Sequence, residues 1–468
     1  MGAFLICAGL LLEWCVGPVK WDAFAWPVNG IVAVAFVALV IVMHALRSRI
    51  YAFRFLGSSE AAVPAIAYAV ALTIIMGLTR QDGGGAADLC LRLHDMLTFW
   101  PFVLVYVYLA VILGLVVTSR VMLLRRTISL RSLAGVFNHL GLLVVLVAGT
   151  LGNADMRRLK MVAVPHVAER RAVDAEARVQ VLPFSVELQR FILERYDDGT
   201  PRRYASELKI LTDDGQELAA TVDVNHPLKV EGWRIYQYGF DPVAGNASER
   251  SILDLVRAPW LPLVYVGMYM MLAGALLLLV YTRWRYKGWA RVGVLIAVGL
   301  CIVWHFMPVI GSSKLVPALQ SRWFVPHIVA YIICYSLMGV AALMAIYALL
   351  SKKTRTSAEP VEGKLTIIDN LVYVGLMFMT FGMLFGAFWA NEAWGHYWAW
   401  DPKETWAAIT WLSFLIYIHY RHLPHHRPRI ALLLIILSFV LLQMCWWGIN
   451  YLPSAQGLSI HTYGTGRN

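Results

Sequence analysis

The chain has 468 residues, 59% of them hydrophobic and only 15% charged, with a mean hydropathy of +0.62. A soluble domain of this length carries about a quarter charged residues, so most of this chain belongs in lipid. The net charge of +11 does not point to nucleic acid. The Lys and Arg residues stand beside apolar stretches, where basic residues set orientation in a membrane.

In chain order, apolar stretches of spanning length fall near 3–16, 28–46, 61–79, 98–118, 134–152, 260–281, 289–309, 326–350, 366–390, 405–420 and 430–450. The runs are continuous and do not alternate, which predicts an α-helical polytopic membrane protein with about eleven transmembrane helices, not a barrel. Residues 1–16 lack the basic start and the A-x-A-type site of a signal peptide and are expected to form a short first span. Connections near 47–60, 119–133, 282–288, 351–365 and 421–429 are rich in Arg and Lys. Those near 17–27, 80–97, 310–325 and 391–404 hold only Lys20, Arg80, Arg92, Lys314, Arg322 and Lys403. The bias predicts an N-terminus in the cytoplasm and a C-terminus outside.

One connection, 153–259, is polar and too long for a loop. It alternates with period two in "RVQVLPFSVELQRFIL" and "GWRIYQYGF", with turns expected at Asp198-Gly199 and Asp214-Gly215. This reads as a small, mostly antiparallel β domain on the outer side. It divides the chain into a membrane half of about five spans, 1–152, and one of about six, 260–468. The six cysteines are scattered, with no C-x-x-C pair, which argues against a zinc ribbon, a thioredoxin-like redox pair or a c-type haem attachment site within the chain.

"WGHYWAWDPKETW", residues 394–406, lies in the outer connection 391–406. Interfacial enrichment of aromatic residues explains one or two tryptophans. It does not explain Trp394, Trp398, Trp400 and Trp406 within thirteen residues that also hold Asp401, Lys403 and Glu404. A large planar ligand with charged edges does: porphyrin has faces that stack on indole, propionates that suit Lys403 or Arg322, and an iron that takes imidazole. His327 and His461 lie on the outer side, with the tryptophan loop between them in sequence and at the same expected height. They are the expected axial ligands. His139 and His419 fall near the inner ends of the fifth and tenth spans. A lone histidine at a span end is ordinarily a hydrogen-bonded interfacial residue, and the sequence by itself does not separate the two readings for this inner pair.

The segment 394–406 matches the W-G-x-x-W-x-W-D-x-K-E (WWD) signature of haem-handling membrane proteins. With "FWAN" before it, "HIVAYIICYSLM", and the "INYL…GLSIHTYG" ending, the second half resembles the CcsA (ResC) part of the bacterial System II cytochrome c synthase. "GSSEAAVPAIAYAVALTIIMGLTRQ", "FNHLGLLVVLVAGTLG" and "DVNHPLKVEGWRIYQYGFD" resemble its CcsB (ResB) partner. The whole chain is similar to a fused CcsB–CcsA protein, with a shorter soluble domain and additional early spans.

The resemblance implies a bacterial inner-membrane protein with its β domain and tryptophan loop periplasmic. It implies export of haem b and holocytochrome c synthase (haem lyase) activity, joining haem vinyl groups to the C-x-x-C-H thiols of apocytochrome c. Membrane lipid and a thiol-reducing, thioredoxin-like protein are the other implied partners. It assigns outer haem ligation to His327 and His461, and transmembrane haem ligation to His419 and His139, with His44 the competitor for the last. Trp394, Trp398, Trp400 and Asp401 would position the macrocycle, with Trp406 and Lys403 also binding it. Two alternatives stay open: a haem transporter or chaperone that serves a separate ligase, and an electron-transfer protein with paired histidines at both leaflets.

Overall fold

The computed structural model describes residues 1–83, 92–126, 128–241, 243–244, 248–285, 314–351 and 359–455. The stretch 289–309, expected to be the seventh span, lies outside the described residues, as does His461. The other ten expected spans are helices: α1 (Gly2–Val16), α2 (Val28–Leu46), α4 (Ser59–Leu78), α5 (Trp100–Leu124), α6 (Leu130–Gly152), α7 (Leu261–Arg285), α8 (Phe324–Leu350), α9 (Glu359–Trp394), α10 (Pro402–Arg421) and α11 (Pro428–Trp446). A short helix, α3 (Tyr51–Leu56), joins α2 to α4. By length and composition, eight of these are suited to crossing a membrane. Of the other two, α1 is short, with 15 residues. The twenty-residue α10 carries Lys403, Glu404, His419 and Arg421 within its length.

Between α6 and α7 the chain forms eight strands: β1 (Arg157–Ala163), β2 (Ala168–Val173), β3 (Val179–Arg195), β4 (Pro201–Thr212), β5 (Glu217–Asp223), β6 (Leu228–Val230), β7 (Trp233–Phe240) and β8 (Ser251–Arg257). They make one sheet in the order β5-β4-β3-β2-β1-β8-β7-β6, antiparallel throughout. Gly199 and Gly215 take φ of 84° and 80° in the two Asp-Gly turns expected from the sequence, where a side chain would be strained. The alternation buries one face, with Leu159, Met161, Phe184, Val186, Leu208, Ile210, Ile235 and Leu255 forming its core. The sheet rolls up. Ser206 on β4 donates to Gln237 Oε1 on β7 at 2.7 Å and shares a 2.6 Å hydroxyl–hydroxyl hydrogen bond with Ser251 on β8, all three buried, although β4 and β7 are far apart in strand order.

Because β1 and β8 are neighbours, paired from Arg157↔Arg257 to Ala163↔Ser251, the two ends of the sheet leave side by side. They continue into α6 and α7, which pack through glycines. A Cβ built on Gly141 would meet the Gly267 carbonyl at 2.7 Å, and the reverse is equally close. Small residues allow this approach in lipid, where apolar contact alone gives helices little reason to associate. From this seam six helices close into a ring: α4 on α5, α5 on α6, α6 on α7, α7 on α9, α9 on α10, and α10 back on α4. Outside the ring, α8 and α11 pack on one another, with α8 against α9 and α11 against α10.

Candidate functional site

The tryptophan loop is built by the capping of α10. Asp401 is the N-cap and accepts the Glu404 backbone N–H at 2.8 Å, with Pro402 opening the helix. The Glu404 carboxylate reaches back to the Ala399 N–H at 2.6 Å, and the Thr405 hydroxyl donates to the Trp400 carbonyl at 3.0 Å. Asp401 and Glu404 are both 8% exposed. These bonds hold Trp400 at φ 56°, a left-handed conformation that a bulky residue adopts only when its surroundings impose it. Both carboxylates thus accept from the loop's own backbone.

The loop has contacts on three sides. Toward the first half, Trp400 meets Phe102 and Tyr106 of α5 edge-on, each at 6.3 Å between centroids, and Trp398 at 5.8 Å. Trp406 lies inside α10, 3% exposed, and donates to the Gly77 carbonyl of α4 at 3.3 Å. Its indole closes the α4–α10 seam. Toward the sheet, Arg158 holds Asp254 through Nε at 2.7 Å and reaches the Trp394 carbonyl at 3.1 Å. Arg234 donates to Asn391 Oδ1 at 2.7 Å, joined there by the Tyr265 hydroxyl at 2.6 Å. Gly395, at φ 81°, lets the loop lie on the sheet, since a Cβ there would stand 3.0 Å from the Tyr236 ring. Burial pushes the Tyr236 phenol up to about 12, so it remains neutral.

On the third side is His327, in the first turn of α8. Its Nδ1 lies 2.8 Å from the Gly382 carbonyl. A carbonyl only accepts, so in the neutral ring Nδ1 carries the proton and Nε2 is the basic nitrogen. Trp389 connects His327 to the loop, with its ring centroid 5.8 Å from the imidazole and 5.8 Å from Trp394. The expectation that His327 stands level with the loop needs correction. Gly382 and Gly386, the residues against its ring, precede Trp394 by eight to twelve positions, about 12–18 Å of helix. The reason is that α9 rises past the start of α8, where Trp389 donates to the Ala318 carbonyl at 2.8 Å. The His327 ring lies on the floor of the aromatic cluster, not at its rim. Lys403 is half-buried and has no carboxylate partner among the described residues, whereas Arg322 pairs with Glu392 at 2.5 Å.

The other two histidines are at the far end of the bundle. His139 is thirteen residues from the sheet end of α6, about 20 Å, and His419 is seventeen past the start of α10, about 26 Å. Each brings Nδ1 within 2.8 Å of the carbonyl four residues before it, Gly135 and Leu415, so each presents Nε2 in the form His327 does. The two rings are within electrostatic range of each other. Both are largely enclosed by protein, on two members of the six-helix ring. His44 is in the last turn of α2, beside Arg47 and, on α5, Ser119.

With this arrangement described, comparison with known proteins gives two family matches. Residues 260–455 match the cytochrome C assembly protein family, and residues 129–250 match the ResB-like family. The chain thus joins a ResB-like segment to a segment similar to the cytochrome C assembly protein family. Among curated relatives, the cytochrome c biogenesis protein CcsA of Chlamydomonas reinhardtii is 38% identical over 158 residues, 33% of this chain and 44% of that protein. The proteins of the same name from Chlorella vulgaris (36% over 190 residues) and Guillardia theta (35% over 177 residues) match 33% of this chain. The chain spans 59% and 58% of those two, so it covers about half the length of these relatives. Its apolar helices and these matches make this chain a multi-pass membrane protein.

Sequence reading alone did not single out Trp389, Asn391, Arg158, Arg234 or Gly386. "FWAN" carries Trp389 and Asn391, and Gly382 and Gly386 form a small-xxx-small pair in an apolar helix, a legible sign of close helix approach. The arginines carry no such sign, because their partners are over 90 residues away in sequence.

Proposed function

We propose that this chain works in cytochrome c biogenesis as a haem exporter and holocytochrome c synthase of the bacterial inner membrane, with its sheet and tryptophan loop on the periplasmic side. The observation that carries this reading is the pairing of two imidazole sites at opposite ends of one helical bundle: an enclosed one at His139 and His419, and one at His327 beneath a tryptophan cluster clamped to the sheet. Haem b is the cargo. It enters at the enclosed site, where two Nε2 atoms suit its iron, and passes to the loop. His327 and His461 ligate the iron there, while Trp394, Trp398 and Trp400 hold the macrocycle. Trp406 and Asp401 play supporting parts in this reading, the first against a helix seam and the second as the cap that folds the loop. Trp398 Nε1 is buried with no acceptor among the described residues, a donor suited to a polar edge of the cargo.

The chemistry is addition of two cysteine thiols of a C-x-x-C-H peptide across two vinyl groups. In each addition an S–H bond breaks, a C–S bond forms, and the hydrogen passes to the other vinyl carbon, with no net redox change. This chain need only position the reactants, a contribution of about 7–11 kcal/mol at its upper end. The substrate histidine replaces one of the two imidazoles on iron, and the sheet clamped to the loop provides a docking surface for the apocytochrome. A thioredoxin-like protein keeps the thiols reduced. Transport alone, serving a separate ligase, is the competing reading.

Replacing His327 or His461 by Ala should strip most haem from the loop site of the purified protein and shift its visible spectrum, with added imidazole restoring both. Parent-like haem content and spectrum in both variants would overturn the ligand assignment. Co-expression with a C-x-x-C-H apocytochrome in cells lacking other maturation systems should yield covalent holocytochrome. Haem export with no attachment would establish the transporter. A second variant tests the His327 pocket without touching the imidazole. A Cβ on Gly386 would come within 2.9 Å of His327 Cε1, so Gly386→Val should turn the ring and lower attachment at least about tenfold while the protein remains in the membrane. Unchanged attachment would mean that the ring's position is immaterial.

A further inference from the structure

On the reading that haem passes the His139–His419 site, one more residue of that site has a part. Arg120, near the end of α5, lies across from α6 at the enclosed site. A methyl group placed on Gly135 would overlap its guanidinium, so the charged group lies directly against that residue. The carbonyl of the same Gly135 accepts the His139 Nδ1–H at 2.8 Å. Guanidinium and imidazole therefore share one residue of α6 as their support.

Among the described residues no carboxylate pairs with Arg120, and its Nε is buried without a hydrogen-bond acceptor. The groups within its electrostatic reach are basic: Arg131, His139, His419 and His422. The nearby acid, Asp369, is already held by Arg421 at 2.8 Å and by the Tyr417 hydroxyl at 2.6 Å. A guanidinium cannot neutralise itself by losing its proton, and an unpaired one within a helical bundle is costly. An arginine in this position is suited to an anion that arrives with a ligand, and its planar fork matches a carboxylate.

We propose that Arg120 is the carboxylate anchor of the enclosed site: it receives a propionate of the porphyrin whose iron lies at His139 and His419. Arg131, exposed at the rim, guides the same charge inward. The cargo is thus held at two points, metal and edge, and its orientation is set before it moves toward the tryptophan loop. Arg120 is a positioning residue for transport and makes no bond to iron.

The test uses the full-length protein carrying His327→Ala, so that binding reports the enclosed site, in phosphatidylcholine nanodiscs with either iron protoporphyrin or its dimethyl ester. With Arg120 present, the free acid should bind at least tenfold tighter than the ester, and Arg120→Gln should abolish that preference while leaving the absorption bands of the bound iron unchanged. Arg120→Lys should restore part of it. Equal binding of acid and ester with Arg120 intact, or a preference that survives Arg120→Gln, overturns the anchor. A preference lost whenever anionic lipid is added assigns Arg120 to lipid phosphate and overturns it likewise. If neither porphyrin binds, the enclosed haem site itself fails, which is a separate result. Should Arg120→Gln not fold, the acid-versus-ester comparison with Arg120 intact still decides.

Discussion

Replacing His419 by Ala is expected to leave the bundle inserted and the sheet folded, while haem at the tryptophan loop falls at least about tenfold, within the range that loss of supporting groups around a metal ligand already produces. The imidazole has Nε2 as its basic nitrogen, and on the proposed reading its removal takes away one of two iron ligands without creating an unpaired charge. His139→Ala should behave in the same way, and added imidazole should rescue both. His44→Ala provides the contrast. Its ring hydrogen-bonds with Arg47 at the end of α2 and Ser119 of α5, and haem content should stay near that of the parent. The measurement is the haem-to-protein ratio of purified protein, with the bound spectrum. A fully loaded loop site without His419 would end the idea that cargo passes this way.

The second large effect is expected at Asp401, where two variants separate charge from geometry. Asp401→Ala removes the N-cap of α10 and leaves the Glu404 N–H unmet in a buried position, about 1–3 kcal/mol on local terms. Trp398 and Trp400 depend on that backbone, so attachment of haem should fall by roughly a hundredfold, as small misplacements of positioning groups do. Asp401→Asn keeps a good capping oxygen, and most attachment should survive. If Asn is as damaging as Ala, the carboxylate charge itself contacts the cargo. Covalent haem on a co-expressed apocytochrome, normalised to the amount of this protein in the membrane, gives the readout.

The parts of this architecture that depend on local sequence were legible. The run from Val28 to Leu46 is uninterrupted, and the helix has those bounds. The alternation and the Asp-Gly pairs at 198–199 and 214–215 gave the strands and two of their turns. The Asp401-Pro402-x-Glu404 pattern is also a helix-start signal, yet beside four tryptophans the charges invited a ligand reading before a capping one. Trp406 illustrates the same difficulty. It belongs to the signature but stands one turn inside α10, where helix packing against Gly77 decides its role. The ring of six helices and the arginine clamp on the loop were not legible, because they depend on pairings between distant parts of the chain. Arg234 and Asn391 are 157 positions apart. His139 and His419 come within electrostatic range of each other only through helices α4 and α5, which link α6 to α10.

The ring has two joints between the halves, one where α6 meets α7 and one where α4 meets α10. Two separately made halves would have to find each other in the bilayer and form both joints by collision. Here the sheet tethers the first joint, since its two ends exit together, and that contact becomes an intramolecular event at high effective concentration. The second joint then follows from a partner already in place. Having both halves in one chain thus makes assembly of the ring independent of how much protein the membrane contains.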